Sequence, residues 1–161
     1  FERALNELAL LLGFSGDRPD KEWRQGPDNL WAVRDGEYIL FECKNQVEET
    51  RASINKDETG QMNNALAWFQ RTYVGATVRP IMIIPTKKVS PAAGFNSEVA
   101  ILRANGLRKL RHNIKGFVSE FRHQDFADLS PEVVQDYLVA HILTVEALYT
   151  EYCESPVSLS A

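Results

Sequence analysis

Residues 26–46 read GPDNLWAVRDGEYILFECKNQ. Asp35-Gly36 between two apolar runs is a strong signal for a β-hairpin, because a tight turn needs residues that tolerate φ above zero. Side chains two apart share a strand face, so Glu42 and Lys44 lie with Tyr38 and Leu40, and Ile39, Phe41 and Cys43 point the other way. A strand apolar on both faces belongs in the middle of a sheet. An acid and a base at its end must then be paired, hydrated or bound to something.

The surroundings define the class. The chain has 161 residues, long enough to bury a substantial core, and its composition is that of an ordinary globular domain. No apolar run approaches the roughly 20 residues needed to cross a bilayer, and no signal peptide opens the chain. Cys43 and Cys153 are too few for a disulfide framework, so a reducing, cytoplasmic setting is expected. A formal net charge of -4 argues against general coating of nucleic acid but leaves room for a local basic patch. The chain opens at Phe1 rather than Met, which fits a processed form or part of a larger protein.

Periodicity outlines the other elements. Residues 1–13 read as a helix with Leu5, Ala9 and Leu12 on its buried stripe, Glu2 on the margin and Glu7 away from it. Residues 15–27 are turn-rich, with a short strand around Trp23, and 46–59 are loop or frayed helix. GQMNNALAWFQRTYV, from Gly60, places Met62, Ala65, Leu66 and Phe69 on one helical face. RPIMIIPTKK is a short strand limited by Pro80 and Pro85. A helical pattern runs from Phe95 to Arg122, with a break at Asn105-Gly106. A last helix, capped by Ser130 and with Pro131 at its first position, carries the stripe Val134, Leu138, Ile142, Val145 and Tyr149, with His141 beside it as a satisfied histidine. That stripe would pack on the domain or on a second copy. The expectation is one domain over 1–154, with a core of about 1–90, a helical part of about 91–154 and a frayed tail at 155–161.

Asp28, Glu42 and Lys44 thus stand at strand ends. Two carboxylates with the Cys43 backbone carbonyl between them suit Mg²⁺ or Mn²⁺, which take oxygen ligands and keep several waters, rather than structural zinc. A lysine beside that metal would orient or deprotonate a water for attack on a phosphodiester. Ser119 and His123 at i, i+4 lack an orienting acid and read as a solvated helix face.

At these residues the chain resembles the PD-(D/E)xK nuclease superfamily, whose fold is restriction-endonuclease-like. GPD holds the family's Pro-Asp at Pro27 and Asp28, and ECK its Glu-x-Lys at Glu42 and Lys44. FERALNELALLLGF resembles the family's first helix, with Glu2 in the place of its glutamate. GQMNNALAWF resembles the helix after the core hairpin, and Gln61 takes the place of the glutamine that several branches carry there. The resemblance covers roughly the first 90 residues.

It implies an α/β fold, a mixed β-sheet flanked by helices, with additional C-terminal helices. It also implies a Mg²⁺-dependent nuclease, a DNA endonuclease domain of a larger protein, with fusion to or association with an ATPase or helicase as one expected setting. Asp28, Glu42 and the Cys43 carbonyl would hold the metal, Lys44 would work on the water, and Glu2 and Gln61 would assist. The basic stretch with Arg103, Arg108, Lys109, Arg111 and Lys115 would meet phosphates, or else pair with the acidic C-terminal helix. The alternatives are a non-cleaving nucleic-acid-binding or attachment module of the same fold, an RNase or toxin effector, and a structural domain that dimerises through its C-terminal helix.

Overall fold

The structure is a computed structural model that describes residues 1–44, 51–125 and 129–160, the His123 side chain excepted. Helix α1 (Glu2–Leu11) buries Leu5 and Ala9 one turn apart on the same face. Gly13, at φ 82°, lets the chain turn away where a Cβ would be strained. Strand β1 (Ser15–Asp17) and helix α2 (Pro19–Trp23) follow. The strand expected around Trp23 is therefore a helix. Pro19 at its first turn presets φ and forfeits only an N–H that no helix would use.

The hairpin forms as the turn signal requires. Strands β2 (Asn29–Arg34) and β3 (Glu37–Cys43) pair antiparallel with Leu30 opposite Leu40 and Trp31 opposite Ile39. Gly36 takes φ 68° in the turn. Leu30 and Leu40 belong to one core cluster with Met62, Ala65, Leu66 and Phe69 of helix α3 (Lys56–Thr72). On the opposite face Trp31 lies 4.6 Å from Phe41 and 6.1 Å from Phe14, between ring centroids. Burial on both faces makes β3 a central strand, as its uninterrupted apolar run implies. Helix α3 begins ahead of Gly60 because Asn55 and Glu58 form a reciprocal capping box, with bonds of 3.0 Å and 2.8 Å. Within the segment expected as loop or frayed helix, residues 46–50 lie outside the described residues.

Strand β4 (Thr77–Ile83) returns parallel to β3. Pro80 sits inside this strand rather than limiting it. Lys44 N–H donates to the Ile83 carbonyl, so by alternation residues 80 and 82 address the other neighbour. Pairing on that side begins only at Ile81, and the missing Pro80 N–H therefore breaks no ladder bond there. A two-residue strand β5 (Lys88–Val89) precedes β6 (Ala100–Leu102), which pairs parallel with β4. Part of the expected 95–122 helix is thus a buried strand. Helix α4 (Ala104–Glu120) then runs through Asn105-Gly106 without a break, since those residues occupy a first turn whose N–H groups lack intrahelical partners in any helix.

The expected single C-terminal helix divides into α5 (Pro131–Ala140) and α6 (Val145–Thr150). Ser130 caps the first as expected, accepting from Val133 N–H at 3.4 Å. Ile142 leaves helical geometry at φ 59°, and Thr144 starts a new helix by accepting from Ala147 N–H at 3.3 Å. The stripe from Val134 to Tyr149 is consequently not one continuous helical face. His141 is satisfied, its Nε2 2.8 Å from Glu120 Oε1.

After β7 (Cys153–Glu154), strand β8 (Val157–Ser158) pairs parallel with β5. The tail expected to fray is held there by Val157 N–H on the Lys87 carbonyl and Leu159 N–H on that of Val89. The main sheet has the order β1-β2-β3-β4-β6-β7 and is mixed, antiparallel from β1 to β3 and parallel from β3 to β6. The chain forms two compact units: Phe1–Arg103 together with the stretch from Glu154, and Ala104–Cys153. Among the described residues, no helix is long and apolar enough to cross a membrane.

Candidate active site

The Pro-Asp and Glu-x-Lys pairs meet because of a gap in the hairpin ladder. With Asn29 opposite Phe41, the residue opposite Cys43 would be Pro27. Proline has no N–H to offer, and the Pro27 carbonyl already accepts from Asp20 N–H at 3.1 Å. The Cys43 N–H is left for a side chain, and Asp28 Oδ2 accepts it at 2.6 Å. That bond sets the Asp28 carboxylate against the peptide linking Glu42 to Cys43. In extended backbone the N–H and C=O of one residue face the same neighbour, so the Cys43 carbonyl also lies on the Asp28 edge.

Glu42 is buried, at 5% exposure, on the α3 side of β3. Lys44 stays in register through its N–H bond to Ile83, and its Nζ lies 3.3 Å from Glu42 Oε2. With both side chains largely withdrawn from solvent, at 17% and 7%, this is not a surface ion pair. Burial pushes the Glu42 carboxyl up to about 7; the Asp28 charge pushes the same way, and Lys44 opposes both. Asp28 is also raised, chiefly by burial, against the lowering effect of the Cys43 N–H bond and of Lys44. Burial holds the Cys43 thiol well above its usual range, which keeps it protonated and leaves its backbone as the chemically useful part.

These groups open into a cleft of about 510 Å³ lined by Asp28, Glu42, Lys44 and Gln61, together with Asp20 and Arg71. Four of the residues singled out from the sequence are thereby brought together. Glu2 is not among the cleft-lining residues: its Oε2 is 2.7 Å from Arg18 Nη2, and its charge reaches Asp28 only as a minor influence. Arg18 directly precedes α2, so this pair tethers the helix that carries Asp20. Gly26, at φ 91°, fixes the wall between α2 and Asp28, where a Cβ would come within 2.9 Å of the Trp68 ring and 3.0 Å of Pro19.

The basic stretch is only partly free. Arg103 donates to the Pro85 carbonyl at 3.0 Å and to Glu154 at 3.2 Å, Lys109 pairs with Glu151, and Arg108 bonds Asn105. Arg111 and Lys115 are exposed and form no ion pair among the described residues. Pairing with acids at the C-terminal end thus accounts for Arg103 and Lys109. Ser119 Oγ donates to the Lys115 carbonyl, and the His123 side chain lies outside the described residues.

Asp20, Asn64 and Arg71 were not identified from sequence. Asn64, Trp68 and Arg71 follow Gln61 at i+3, i+7 and i+10, a stripe beside the core stripe of α3. That spacing was readable, but its significance depends on what faces it.

The donor set fits a hard divalent cation. Among the described residues no group of three His, Cys, Asp or Glu side chains is placed to hold a metal. What the strand ends offer is two carboxylates and a carbonyl, all oxygen, with room for water and phosphate, the partial cage in which Mg²⁺ is usually held. The buried Glu42 and half-buried Asp28, each raised by desolvation and by nearby negative charge, would be relieved by that charge. Comparison of the chain with protein-family models, curated proteins and solved structures finds no match to any of them.

Proposed function

We propose that this chain is a Mg²⁺- or Mn²⁺-dependent nuclease with a restriction-endonuclease-like fold, acting on DNA. The observation that carries the reading is the convergence of Asp28, Glu42 and Lys44 on one cleft, with Asp28 held by the Cys43 N–H that faces Pro27. Asp28, Glu42 and the Cys43 carbonyl hold the metal, which when bound supplies positive charge for the phosphate that becomes more negative during attack. Lys44 positions or activates the attacking water beside Glu42. Gln61, exposed on α3 and facing the same cleft, orients Lys44 or a phosphate oxygen.

Asp28→Ala removes a metal ligand without touching Lys44. Calorimetric titration with Mn²⁺ should show affinity reduced at least tenfold, on the order expected when a site's geometry is disturbed, with cleavage lost in parallel. Unchanged Mn²⁺ affinity would place the metal elsewhere and remove the basis of this reading.

A further inference from the structure

The cleft continues past the carboxylates along α3. Because β4 returns parallel to β3, α3 runs against both strands, so Gln61 lies toward the Glu42 end and Arg71 away from it. The two are separated by about 15 Å of helix, roughly four nucleotides at the ~3.4 Å spacing of a stacked strand. Near the Arg71 end Trp68 forms part of the wall at 7% exposure, and Trp23 stacks on it, with ring centroids 6.2 Å apart and planes 29° apart. Trp23 itself is 49% exposed. One ring face is therefore backed by Trp68 while much of the ring stays open to solvent. Arg71 is exposed and has no ion pair among the described residues, and exposed Arg24 adjoins Trp23. Asp20 and Glu22 on α2 oppose these cations, so the pattern is not a plain basic surface. Trp23 is thus an exposed ring stacked on Trp68, and Trp68 and Arg71 line the part of the cleft that lies away from the proposed metal ligands.

We propose that Trp23, stacked on Trp68 of the same cleft wall that carries Arg71, is a subsite for an unpaired nucleobase, so that the cleft takes single-stranded nucleic acid. The proposal rests on the nucleolytic reading of the same cleft and adds its substrate class. A base in a duplex has both faces covered by its neighbours; an unpaired base offers a free face to an aromatic ring and its phosphate to an arginine. Stacking is indifferent to the sugar, so DNA and RNA strands share this chemistry.

The test is intrinsic tryptophan fluorescence of the whole chain. Of its three tryptophans, Trp31 is 1% exposed and Trp68 7%, so a base stacking from outside quenches Trp23. Oligothymidylate, oligouridylate and a blunt duplex are titrated in chelator, and again in Mg²⁺ on the Lys44→Ala chain. Quenching by one or both single strands and not by the duplex is expected, and the strand that quenches identifies the polymer. Trp23→Ala, its fold checked by thermal midpoint, should weaken single-strand binding roughly five- to hundredfold, the span of one base–aromatic stack. Trp23→Phe should keep most of the affinity and lose the quenching. No quenching under either condition, quenching that persists in Trp23→Phe, or a folded Trp23→Ala chain that binds as the parent does would each overturn the subsite. Quenching without any metal-dependent cleavage by the parent would instead retain the subsite and remove the nuclease.

Discussion

Lys44→Ala is expected to lower the rate of phosphodiester cleavage by a factor on the order of 10²–10⁴, the usual contribution of a positioned acid–base group. It should leave Mn²⁺ binding in place, because the proposed ligands Asp28, Glu42 and the Cys43 carbonyl all remain. The loss should appear in kcat, since the group acts on the water and not on the bound strand. The competing account makes Lys44 a structural partner of Glu42, 3.3 Å away. In that case removing Lys44 leaves a buried carboxylate without its counter-charge and lowers stability, with no specific effect on the chemical step. Cleavage rate, Mn²⁺ titration and thermal midpoint measured on the same preparation separate the two. A Lys44→Ala chain that cuts as fast as the parent ends the mechanism.

The second large effect is a metal-sensitive pH dependence of stability. Glu42 has a folded-state value of about 7 against 4.5 for the free side chain, so the folded chain holds its proton more tightly than the unfolded one. The resulting stabilisation is fully present below about pH 4.5 and is lost as pH rises through 7. The difference corresponds to something on the order of 3 kcal/mol. Asp28, raised in the same direction, adds to the trend, and Lys44 limits it. In chelator, the thermal midpoint should therefore fall across this window more steeply than in Glu42→Gln, which carries no titrating carboxyl there. If Glu42 and Asp28 hold the proposed divalent cation, it competes with the proton for the same oxygens, and added Mg²⁺ should raise the midpoint more at pH 8 than at pH 5. An identical pH profile in Glu42→Gln would show that Glu42 is not the buried acid responsible. Equal Mg²⁺ stabilisation at both pH values would separate the metal from the carboxylates.

Much of the candidate site's geometry was legible in residues 26–46 because local rules meet there. Asp-Gly set the turn, alternation set the faces, and Pro27 emptied the ladder position that Asp28 fills. The core face of α3 followed from Met62, Ala65, Leu66 and Phe69 in the same way. What escaped depended on other parts of the chain. Strand β6 is a fully buried apolar run, and such a run carries no period that separates strand from helix. The break at Ile142 puts a β-branched residue at φ 59°, against its own preference, and only the surrounding structure can hold it there. The Glu2 carboxylate pairs with Arg18, 16 residues away, which no local pattern announces. Asp20 and Arg71 acquire meaning only once α2 and α3 face each other across the cleft.

The most direct measurement of the central claim is cleavage by the purified chain of end-labelled single-stranded DNA, RNA and plasmid, each with Mg²⁺, Mn²⁺ or chelator. A metal-dependent phosphodiesterase site at Asp28, Glu42 and Lys44 predicts cutting of DNA with either cation, none in chelator, and none above background in Lys44→Ala. Cutting that survives chelator, or intact substrates with both cations in a chain shown to bind Mn²⁺, would contradict it.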